Sequence, residues 1–496
     1  MSFMRRNLDQ IIDGFSQAKV LVLGDLILDV YLEGTTTRLS PEAPVPVVNV
    51  YNEKWYLGGA ANTAINVRSL GAEVTFCSVS GNDYGANKAS ELLDKAGIDT
   101  TAMIKDKRRH TIVKERIVGH SQLLARFDRG SESEIDKHIE KHLIQMLYDI
   151  YPQCDAVIVS DYNKGVITSK VLLALQDLRQ KYPAFLAVDS KRLEVFRSIH
   201  PSVVKPNYEE VSNLLPLTRV DSDRITQVKS HWDKISQLTG ADWTVVTLDE
   251  DGAIAVGPQD VCYEVEGVKV SEPHVIGAGD TFIAAFTLAV FAGCNLHEAT
   301  KVAVAASSIS VAKDYTSCCN QVELRSFFIQ RKKIIGSLAE LISLCEFYKN
   351  QHKKIVLTSG CFDILHSGHV NFLTQAGNLG DIMIVGINDD ESIRRIKGPL
   401  RPINPLRERM EVLAGLKAVD HLVSFGATQD DTPISLIKVI KPHVFVKGGD
   451  YDIGSLPEAD SVREAGGCVR FIPLTPDHST TQVIRRISGL PVQASL

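Results

Sequence analysis

Short apolar runs that end in polar residues recur along the first part of this chain. Lys19–Gly24 is rich in valine and leucine and is followed by Asp25, and similar runs precede Asp161, Asp189 and Asn207. Runs of this length and composition are typical of buried strands, and helical stretches separate them. Alternating strands and helices favour a parallel sheet whose ligands bind at the carboxyl ends of the strands. The pattern therefore predicts an α/β fold of doubly wound parallel sheets.

Length and composition limit the possible classes of protein. A chain of 496 residues is too long for one hydrophobic core and suggests roughly two to four domains. The formal net charge of −6 gives no reason to expect a nucleic acid partner. Asp25 and Asp29 interrupt the early apolar run 20–30, which excludes a signal-peptide core, and run 281–293 is too short to span a membrane. Nine cysteines without paired spacing indicate reduced thiols, so we expect a cytoplasmic protein without a membrane partner.

The sequence Gly277-Ala278-Gly279-Asp280 precedes a strongly apolar stretch of helix-forming residues. Its two glycines let the backbone turn tightly and approach a ligand closely. The unpaired N–H groups at a helix start then favour an anion. Asp280 would be placed to take a proton from a hydroxyl that attacks a phosphoryl group. The alternative is an aspartate that only caps the helix.

Residues near the start of the chain are suited to hold a sugar. Gly58 and Gly59 permit close approach of a ligand, and Asn62 can hydrogen-bond a hydroxyl. Asp25 and Asp29 are acceptors suited to sugar hydroxyls, although both could instead cap turns. The residues therefore predict a sugar site that is separate in sequence from the anion site.

A second phosphate site is indicated later in the chain, where a strand and a glycine turn precede a helix start with His366 and His369. Two imidazoles near a helix N-terminus can stabilise charge that builds up on an α-phosphate under in-line attack. Zinc binding and a purely structural pair are the alternatives, but no cysteine–histidine cluster with zinc-ligand spacing accompanies them. A basic cluster follows, which suits a triphosphate or forms a solvated face: Arg394, Arg395, Lys397 and Arg401.

The two sets of motifs do not interleave, which indicates separate domains. Apolar residues recur at intervals of three or four from 321 to 348, which predicts one long helix, and a polar basic segment follows. We therefore predict a first domain over residues 1–334, a helical and polar linker over 335–354 and a second domain over 355–496.

The first half resembles the ribokinase-like carbohydrate kinases, whose two signatures match Gly58, Gly59 and Asn62 and then the 277–280 stretch. The resemblance implies a small β lid over the sugar. Two polar, β-branched segments suit this lid: 44–50 and 111–118. The sequence departs from the usual signature residues at His274, Ile276, Ser190 and Tyr315. In this family a glycine near the adenine pocket is expected where Tyr315 stands.

This resemblance also implies roles for residues. Asp280 would be the catalytic base, and the N–H groups of 278–280 would form the anion hole. The sugar would be held by Asp25, Asp29, Gly58, Gly59 and Asn62. The phosphates of ATP would lie against Asn207, Tyr208, Glu209, Glu210, Thr247, Gly252, Gly277, Ala278 and Gly279. Glu210 would be a ligand of magnesium (Mg2+).

The second half resembles the cytidylyltransferase-like nucleotidyltransferases with a Rossmann-like sheet. The match includes Gly-Cys-Phe-Asp before His-x-Gly-His and a later Lys-Gly-Gly-Asp and Ser-Thr-Thr. It implies that His366 and His369 are catalytic. The nucleotide would be bound by Gly360, Phe362, Asp363, Lys397, Arg401, Lys447, Asp450, Ser479, Thr480 and Thr481.

The order of the two halves is similar to that in bifunctional enzymes that make ADP-heptose for the lipopolysaccharide core. The resemblance implies ATP-dependent phosphorylation of D-glycero-β-D-manno-heptose 7-phosphate at O1, then adenylyl transfer from ATP to the 1-phosphate, with magnesium at both sites. It also implies a homodimer through the first domain. Two alternatives stay open: a non-catalytic sugar-phosphate-binding first half beside an active transferase, or a kinase and cytidylyltransferase for another sugar phosphate.

Overall fold

The computed structural model describes residues 8–119, 122–215, 224–258, 261–270, 273–427, 430–449 and 456–473. Four residues predicted to bind the second nucleotide lie outside these ranges: Asp450, Ser479, Thr480 and Thr481. The chain divides into two compact units, Met1–Arg325 and Ser326–Leu496. Within the described ranges, no helix is both long enough and apolar enough to cross a membrane.

The first unit is built around a large, mostly parallel sheet. Its strands are β1 (Lys19–Gly24), β2 (Leu26–Leu39), β3 (Pro46–Gly59), β4 (Glu73–Ser80), β5 (Met103–Lys105), β6 (Ile112–Gly119), β7 (Gln122–Arg129), β8 (Ala156–Asp161), β9 (Phe185–Ser190), β10 (Val203–Val204), β11 (Trp243–Thr247), β12 (Gly252–Gly257) and β13 (Val261–Glu266). Nine of them form one sheet in the order β13-β12-β11-β10-β9-β8-β1-β4-β5. At one edge β12 pairs antiparallel with both β11 and β13, and the other strands of the sheet pair parallel. The predicted doubly wound sheet is confirmed.

Helices pack against this sheet and complete its core. They are α1 (Leu8–Gly14), α2 (Ala60–Ser69), α3 (Tyr84–Lys95), α4 (Lys137–Ile150), α5 (Ser169–Lys181), α6 (Tyr208–Leu214), α7 (Arg224–Ser230), α8 (Trp232–Thr239), α9 (Ala278–Phe291) and α10 (Leu296–Val311). Every residue of β8 is buried, as is every residue of α9 from 280 to 289. A helix that is apolar all round lies in the interior, so α9 carries Asp280 into the core.

The remaining four strands of the first unit form a separate sheet in the order β3-β2-β6-β7. We call this sheet the lid. Strand β2 pairs antiparallel with β3 and parallel with β6, and β6 pairs antiparallel with β7. The lid contains most of the predicted segments 44–50 and 111–118, which confirms the small β lid.

The second unit contains a smaller parallel sheet. Its strands are β14 (Ile355–Gly360), β15 (Ile382–Asn388), β16 (His421–Phe425), β17 (Val444–Gly448) and β18 (Cys468–Ile472), in the order β16-β15-β14-β17-β18. The division between the units falls within α11 (Gln321–Arg331). The later helices are α12 (Leu338–Asn350), α13 (Ser367–Gly377), α14 (Asp390–Lys397), α15 (Leu406–Ala414), α16 (Ile434–Ile440) and α17 (Ala459–Glu464). All pairings in the sheet are parallel, which confirms the Rossmann-like prediction.

The prediction of one helix from 321 to 348 is wrong, because α11 ends at Arg331 and α12 begins at Leu338. Between them, Ile335 N–H donates to the carbonyl of Leu422 at 2.9 Å, so this segment runs along β16. The Ser337 hydroxyl then accepts from Glu340 N–H at 3.2 Å and caps α12. The apolar periodicity continues across this break and therefore did not reveal it.

Helix α12 forms part of the core of the second unit, although it falls in the segment predicted as a linker. Its buried residues include Leu341, Leu344 and Tyr348, which belong to the same cluster as Ile355 and Leu357 of β14. The Tyr348 hydroxyl also lies 2.8 Å from Nε2 of His421 in β16. The helix is therefore packed on the sheet of this unit.

Candidate functional site

Asp280 lies in the first turn of α9, where three side chains donate hydrogen bonds to its buried carboxylate. Asn62 Nδ2 donates to one oxygen and the Thr63 hydroxyl to the other, each at 2.8 Å. The Tyr162 hydroxyl lies 3.1 and 3.2 Å from the two oxygens. Donors from α2 and from the end of β8 therefore hold the carboxylate in one orientation.

The electrostatic surroundings of Asp280 suit a general base. Burial and the nearby Asp189 carboxylate raise the pKa of Asp280 to about 6, against the opposing effects of Asn62, Thr63 and Lys205. The carboxylate is therefore mostly ionised at neutral pH, yet it binds a proton more readily than an ordinary aspartate. A pKa close to the working pH is what efficient general base catalysis requires.

The helix start beside Asp280 can hold an anion. Gly277 caps α9 with a φ of 84°, in the left-handed region that glycine favours. Ala278 N–H donates to the carbonyl of Val275 at 3.3 Å. The N–H groups of Gly279 and Asp280 belong to the first turn, which has no preceding helical carbonyls to pair with. They give this site its preference for negative charge.

Lys205 adds a positive charge to this anion site. A Cβ placed on Gly279 would lie 3.1 Å from Nζ of Lys205, which is buried just after β10. The ammonium pairs with Asp189 at 3.1 Å. Although burial opposes it, the carboxylates of Asp189, Glu210 and Asp280 raise the pKa of Lys205. The protonated lysine was not among the predicted site residues, because in sequence it only ends an apolar run.

A cavity of about 560 Å³ opens beside the start of α9. Its size is within the usual range for small ligands. Six residues predicted to bind ATP line it: Asn207, Glu210, Thr247, Gly252, Ala278 and Gly279. Asp189 and Lys205 line the same cavity. The carboxyl ends of the central strands and the start of α9 thus surround one volume.

Three other residues predicted to bind ATP do not line this cavity. Gly277 lies on the other side of the turn, where its missing Cβ would be 2.5 Å from Asn62 Nδ2. Tyr208 packs against the core cluster that includes Trp232 of α8. Glu209 lines a neighbouring cavity of about 470 Å³. Their contacts with ATP stay predictions.

Asn207 and Glu210 cap α6 as well as lining the cavity. Asn207 Oδ1 accepts from Glu210 N–H at 2.8 Å, and Glu210 Oε2 accepts from Asn207 N–H at 2.9 Å. The other oxygen of Glu210 pairs with Lys191. Among the described residues, no group of three or more His, Cys, Asp and Glu side chains could hold a metal ion. Asp189 and Glu210 nevertheless supply the one or two carboxylates that Mg2+ commonly uses together with substrate phosphates.

The predicted sugar residues Asp29 and Gly58 touch each other. A Cβ on Gly58 would lie 2.4 Å from Oδ2 of Asp29, so a larger residue at 58 would displace this carboxylate. The other oxygen accepts from Arg116 Nη1 at 2.6 Å, and both side chains are buried. Gly59 has a φ of 56° and leads directly into α2, which carries Asn62. The structure thus brings these four residues together at the base of the lid.

Asp25 holds a loop in place. Its carboxylate accepts from the N–H groups of Tyr162, Lys164 and Val166 at 2.9, 3.1 and 3.2 Å. Burial, followed by the nearby Asp161, raises the pKa of Asp25. These bonds position the loop that presents Tyr162 to Asp280. A contact between Asp25 and the sugar stays a prediction.

Tyr315 contacts the lid and does not line the nucleotide-sized cavity. Its backbone has a φ of 60°, which is unusual for a residue with a side chain. The ring stacks on Tyr56 with centroids 5.6 Å apart and meets Tyr31 edge-on at 4.6 Å. Its hydroxyl donates to Glu33. The residue that stands in place of the expected glycine therefore fastens the lid strands.

The two histidines of the second unit lie together at the start of α13. Their ring centroids are 3.9 Å apart, and the Phe362 ring lies 5.4 Å from that of His369. Burial, and then His366, lower the pKa of His369 to about 4, so this imidazole is neutral at pH 7. Its buried Nδ1 has no hydrogen-bond partner within the described part of the chain. Phe362 in turn packs under Gly360, whose missing Cβ would be 3.1 Å from the ring.

Asp363 organises the loop that follows α14. Its Oδ1 accepts from the N–H groups of Ile403 and Asn404 at 2.8 and 3.0 Å, and its other oxygen pairs with Arg401. The predicted nucleotide residues Asp363 and Arg401 are therefore in direct contact. Their bonds fix the loop next to the histidine turn.

The predicted basic cluster is divided among several partners. Arg395 pairs with Asp431 at 2.6 Å, whereas Lys397 lies exposed at the end of α14. Arg401 pairs with Asp363, and Lys447, which was predicted separately to bind the nucleotide, pairs with Glu458 at 2.7 Å. The structure therefore does not form one basic face from the predicted residues.

Arg409 is a structural residue that the sequence did not reveal. Its fully buried guanidinium donates to the carbonyls of Cys361, Asn388 and Asn404 at 2.6, 2.9 and 3.0 Å. It also pairs with Asp390 at 2.6 Å. One side chain thus joins the turn after β14, the end of β15 and the loop before α15.

The fold and the two helix-start sites define a chain that combines a carbohydrate kinase unit with a nucleotidyltransferase unit. The pfkB family carbohydrate kinase model matches residues 17–322, and the cytidylyltransferase-like model matches residues 357–486. The chain belongs to the family of bifunctional HldE proteins. It is 35% identical over 477 residues to the bifunctional protein HldE of Desulfatibacillum aliphaticivorans, which covers 95% of this chain and 96% of that protein.

A second relative agrees with this assignment, and a solved structure resembles the first unit in its fold. The bifunctional protein HldE of Helicobacter hepaticus is 36% identical over 479 residues, with 95% of this chain and 96% of that protein covered. Phosphofructokinase-2 from Escherichia coli, solved in complex with potassium, superimposes with a TM-score of 0.53 at 20% identity. It covers 63% of this chain and 97% of its own. This last likeness supports the fold of the first unit alone.

Proposed function

We propose that this chain catalyses two steps of ADP-heptose synthesis for the lipopolysaccharide core. The first unit phosphorylates D-glycero-β-D-manno-heptose 7-phosphate at O1, and the second transfers an adenylyl group from ATP to D-glycero-β-D-manno-heptose 1-phosphate. A separate phosphatase removes the 7-phosphate between the two steps. The observation that carries the proposal is the buried Asp280, with a pKa of about 6, beside an anion site and a cavity of about 560 Å³.

In the kinase step, Asp280 takes the proton from the O1 hydroxyl of the sugar. The oxygen then attacks the γ-phosphorus of ATP in line, and ADP leaves. The N–H groups of Gly279 and Asp280, together with Lys205, stabilise the charge on the transferring phosphoryl group. Asn62, Thr63 and Tyr162 keep the base oriented throughout.

Magnesium is the metal we propose at both sites, since it neutralises triphosphate charge. In the first unit Asp189 and Glu210 lie where they can hold it together with the phosphates of ATP. The residues present there, two carboxylates and a lysine, suit a metal–triphosphate complex rather than a metal bound by protein alone.

In the transferase step, an oxygen of the sugar 1-phosphate attacks the α-phosphorus of ATP, and pyrophosphate leaves. His366 and His369 stabilise the charge that develops on the α-phosphate, and both rings lie at the start of α13. Arg401, held by Asp363, and the exposed Lys397 bind the remaining phosphates.

We also propose that the protein is a homodimer that forms through the lid. Both edge strands of the lid, β3 and β7, present apolar side chains to solvent: Val50, Tyr51, Leu123 and Phe127 are 49%, 71%, 60% and 41% exposed. Exposed apolar side chains on edge strands favour association. Sedimentation of the wild type should give a dimer, and Leu123→Glu with Phe127→Glu should shift it to a monomer.

The two activities should be separable if the chain is divided before α12, so that this helix stays with the second unit. We propose that the fragment Ser326–Leu496 folds and transfers adenylyl groups alone. A fragment that begins at Lys349 lacks Leu341 and Leu344 of the core and should not fold. Circular dichroism and pyrophosphate release from both fragments test this, and an inactive longer fragment would contradict it.

The deciding experiment supplies purified protein with heptose 7-phosphate and ATP. ADP release should begin at once, and pyrophosphate release only after a phosphatase is added. Activity with heptose 1-phosphate but no ADP from heptose 7-phosphate would identify the first unit as a binding module. A preference for CTP in the second step would identify a cytidylyltransferase instead.

A further inference from the structure

Lys114 lies on the face of the lid that meets the kinase site. It pairs in register with Asp29 across β2 and β6. Its Nζ is 5.9 Å from the centroid of the Tyr162 ring, and the Tyr162 hydroxyl bonds Asp280. The lysine is therefore next to a predicted sugar residue and next to a residue that holds the base.

Its ammonium group makes no hydrogen bond or ion pair with any residue that the structure describes, in contrast to its neighbours. Arg116 pairs with Asp29 at 2.6 Å, and Arg126 pairs with Asp128 at 2.6 Å. Together with Lys114 these residues form one charged group on neighbouring strands. The group contains three cations, Lys114, Arg116 and Arg126, and two carboxylates, Asp29 and Asp128. Burial lowers the pKa of Lys114. The carboxylates of Asp29 and Asp128 oppose this effect, and the guanidinium groups of Arg126 and Arg116 add to it. One positive charge in this group is thus half-buried and unmatched.

A half-buried charge without a fixed partner costs free energy, which an anionic ligand can offset. The kinase reaction brings two phosphate sources to this unit: the triphosphate of ATP and the phosphate already on the sugar. The ATP side has its own cation, because Lys205 lies against Gly279 in the nucleotide-sized cavity. Lys114 does not line that cavity. Of the two phosphate sources, the phosphate on the sugar is therefore the one that the charge of Lys114 is placed to meet.

We propose that Lys114 binds the phosphate that the sugar substrate carries, and so makes the first unit selective for phosphorylated sugars. This inference rests on the proposed kinase function. In the proposed substrate that phosphate is on C7, far along the chain from the reacting O1. An ammonium on the lid then anchors one end of the sugar while Asp280 receives the proton at the other. Arg126, the more exposed of the two arginines, reinforces the positive side of this site.

The test compares Lys114→Met and Lys114→Arg with the wild type. Methionine keeps most of the length of the side chain and removes its charge. The KM for heptose 7-phosphate should rise about 10- to 100-fold in Lys114→Met, the range for a lost hydrogen bond between charged groups. The KM for ATP and the rate with unphosphorylated heptose should not change, and Lys114→Arg should recover most of the affinity. Lys181→Met, at an exposed lysine on α5, is the matched control and should match the wild type.

Three outcomes would overturn the inference. An unchanged KM for heptose 7-phosphate means that Lys114 does not contact the substrate. A raised KM for ATP means that it serves the nucleotide. An equal loss with both sugars means that it only supports the lid.

Calorimetric titration without ATP separates this inference from the proposed function. Heptose 7-phosphate and inorganic phosphate are titrated into the full chain and into Lys114→Met. If the wild type binds both and the variant loses both, the inference stands even when no ADP forms, in which case the proposed kinase function fails alone. If the wild type binds neither, the inference is wrong.

Discussion

The central residues of the two candidate active sites differ in their hydrogen-bond partners and in the direction of their pKa shifts. Asp280 accepts hydrogen bonds from three side chains and has a pKa of about 6. His369 has a pKa lowered to about 4, and its Nδ1 has no partner among the described residues. Both residues nevertheless lie in the first turn of a helix.

The difference follows from what each residue has to do. A base must be oriented and ionised before the hydroxyl of the substrate arrives, so the protein itself supplies the donors. An imidazole that stabilises charge on a phosphate has its partner in the nucleotide. Under the proposed roles, the protein supplies the partners of Asp280, whereas the nucleotide supplies those of His369.

The largest effect should come from removing the base. Asp280→Asn keeps the shape of the side chain but cannot accept the proton, so the kinase rate should fall about 10²- to 10⁴-fold. ADP release measures the loss, and pyrophosphate release from heptose 1-phosphate should be unchanged in the same preparation. A loss of less than tenfold would show that Asp280 is not the catalytic base.

The corresponding change in the second unit is His369→Ala. Adenylyl transfer should fall about 10²- to 10³-fold, because one preorganised charge-stabilising group is lost. Kinase activity serves as the internal control. Near-normal turnover would make the histidine pair structural, and activity that depends on added zinc would replace the proposed role with a metal site.

The two activities should differ in how their rates depend on pH, with a smaller effect than either substitution. Protonation of Asp280 removes the base, so kcat/KM of the kinase should fall about tenfold per unit as the pH drops below about 6. His369 is neutral down to a pH of about 4, so its titration should not affect the transferase between pH 8 and 5. In Asp280→Asn the residual kinase rate should lack the inflection near pH 6. An inflection that persists there would assign it to another group.

The smallest effect should come from His274, the departure from the kinase signature. Its backbone N–H donates to the carbonyl of Val311 at 2.8 Å. The Nε2 atom of its half-exposed ring lies 3.6 Å from Oδ1 of Asp314. Exposed ion pairs contribute little, so His274→Asp should change the kinase rate by less than about fivefold. A large gain would mean that the loop before α9 limits the wild-type rate.

Much of the first site could be predicted from the sequence, because short motifs of glycine and aspartate before an apolar helix are typical of phosphate sites. Asn62 and Asp280 were each predicted from short motifs, and the fold joins them across 218 residues of sequence. Tyr162 and Lys205 were missed. Both follow strands, as many polar residues do, and only the packing of α9 decides which of these residues lie beside its first turn.

In the second unit the missed features are buried ones. Arginine is rarely buried unless it is fully paired, so Arg409 in a helical pattern looks like a surface residue. Its four partners come from three separate segments and have no common sequence signal. The break before α12 was hidden for a similar reason, since apolar spacing reports burial and not continuity of the helix.

The contact between Gly58 and Asp29 has a consequence for how the family can change over time. Because a Cβ on residue 58 would overlap the carboxylate of residue 29, the residue accepted at position 58 depends on the side chain at position 29. A side chain at 58 requires the carboxylate of residue 29 to move or to be replaced by a shorter group, which also disturbs its ion pair with Arg116. Substitutions at the two positions should therefore appear together in descendants of this protein, and the intermediate with only the first change should be rare.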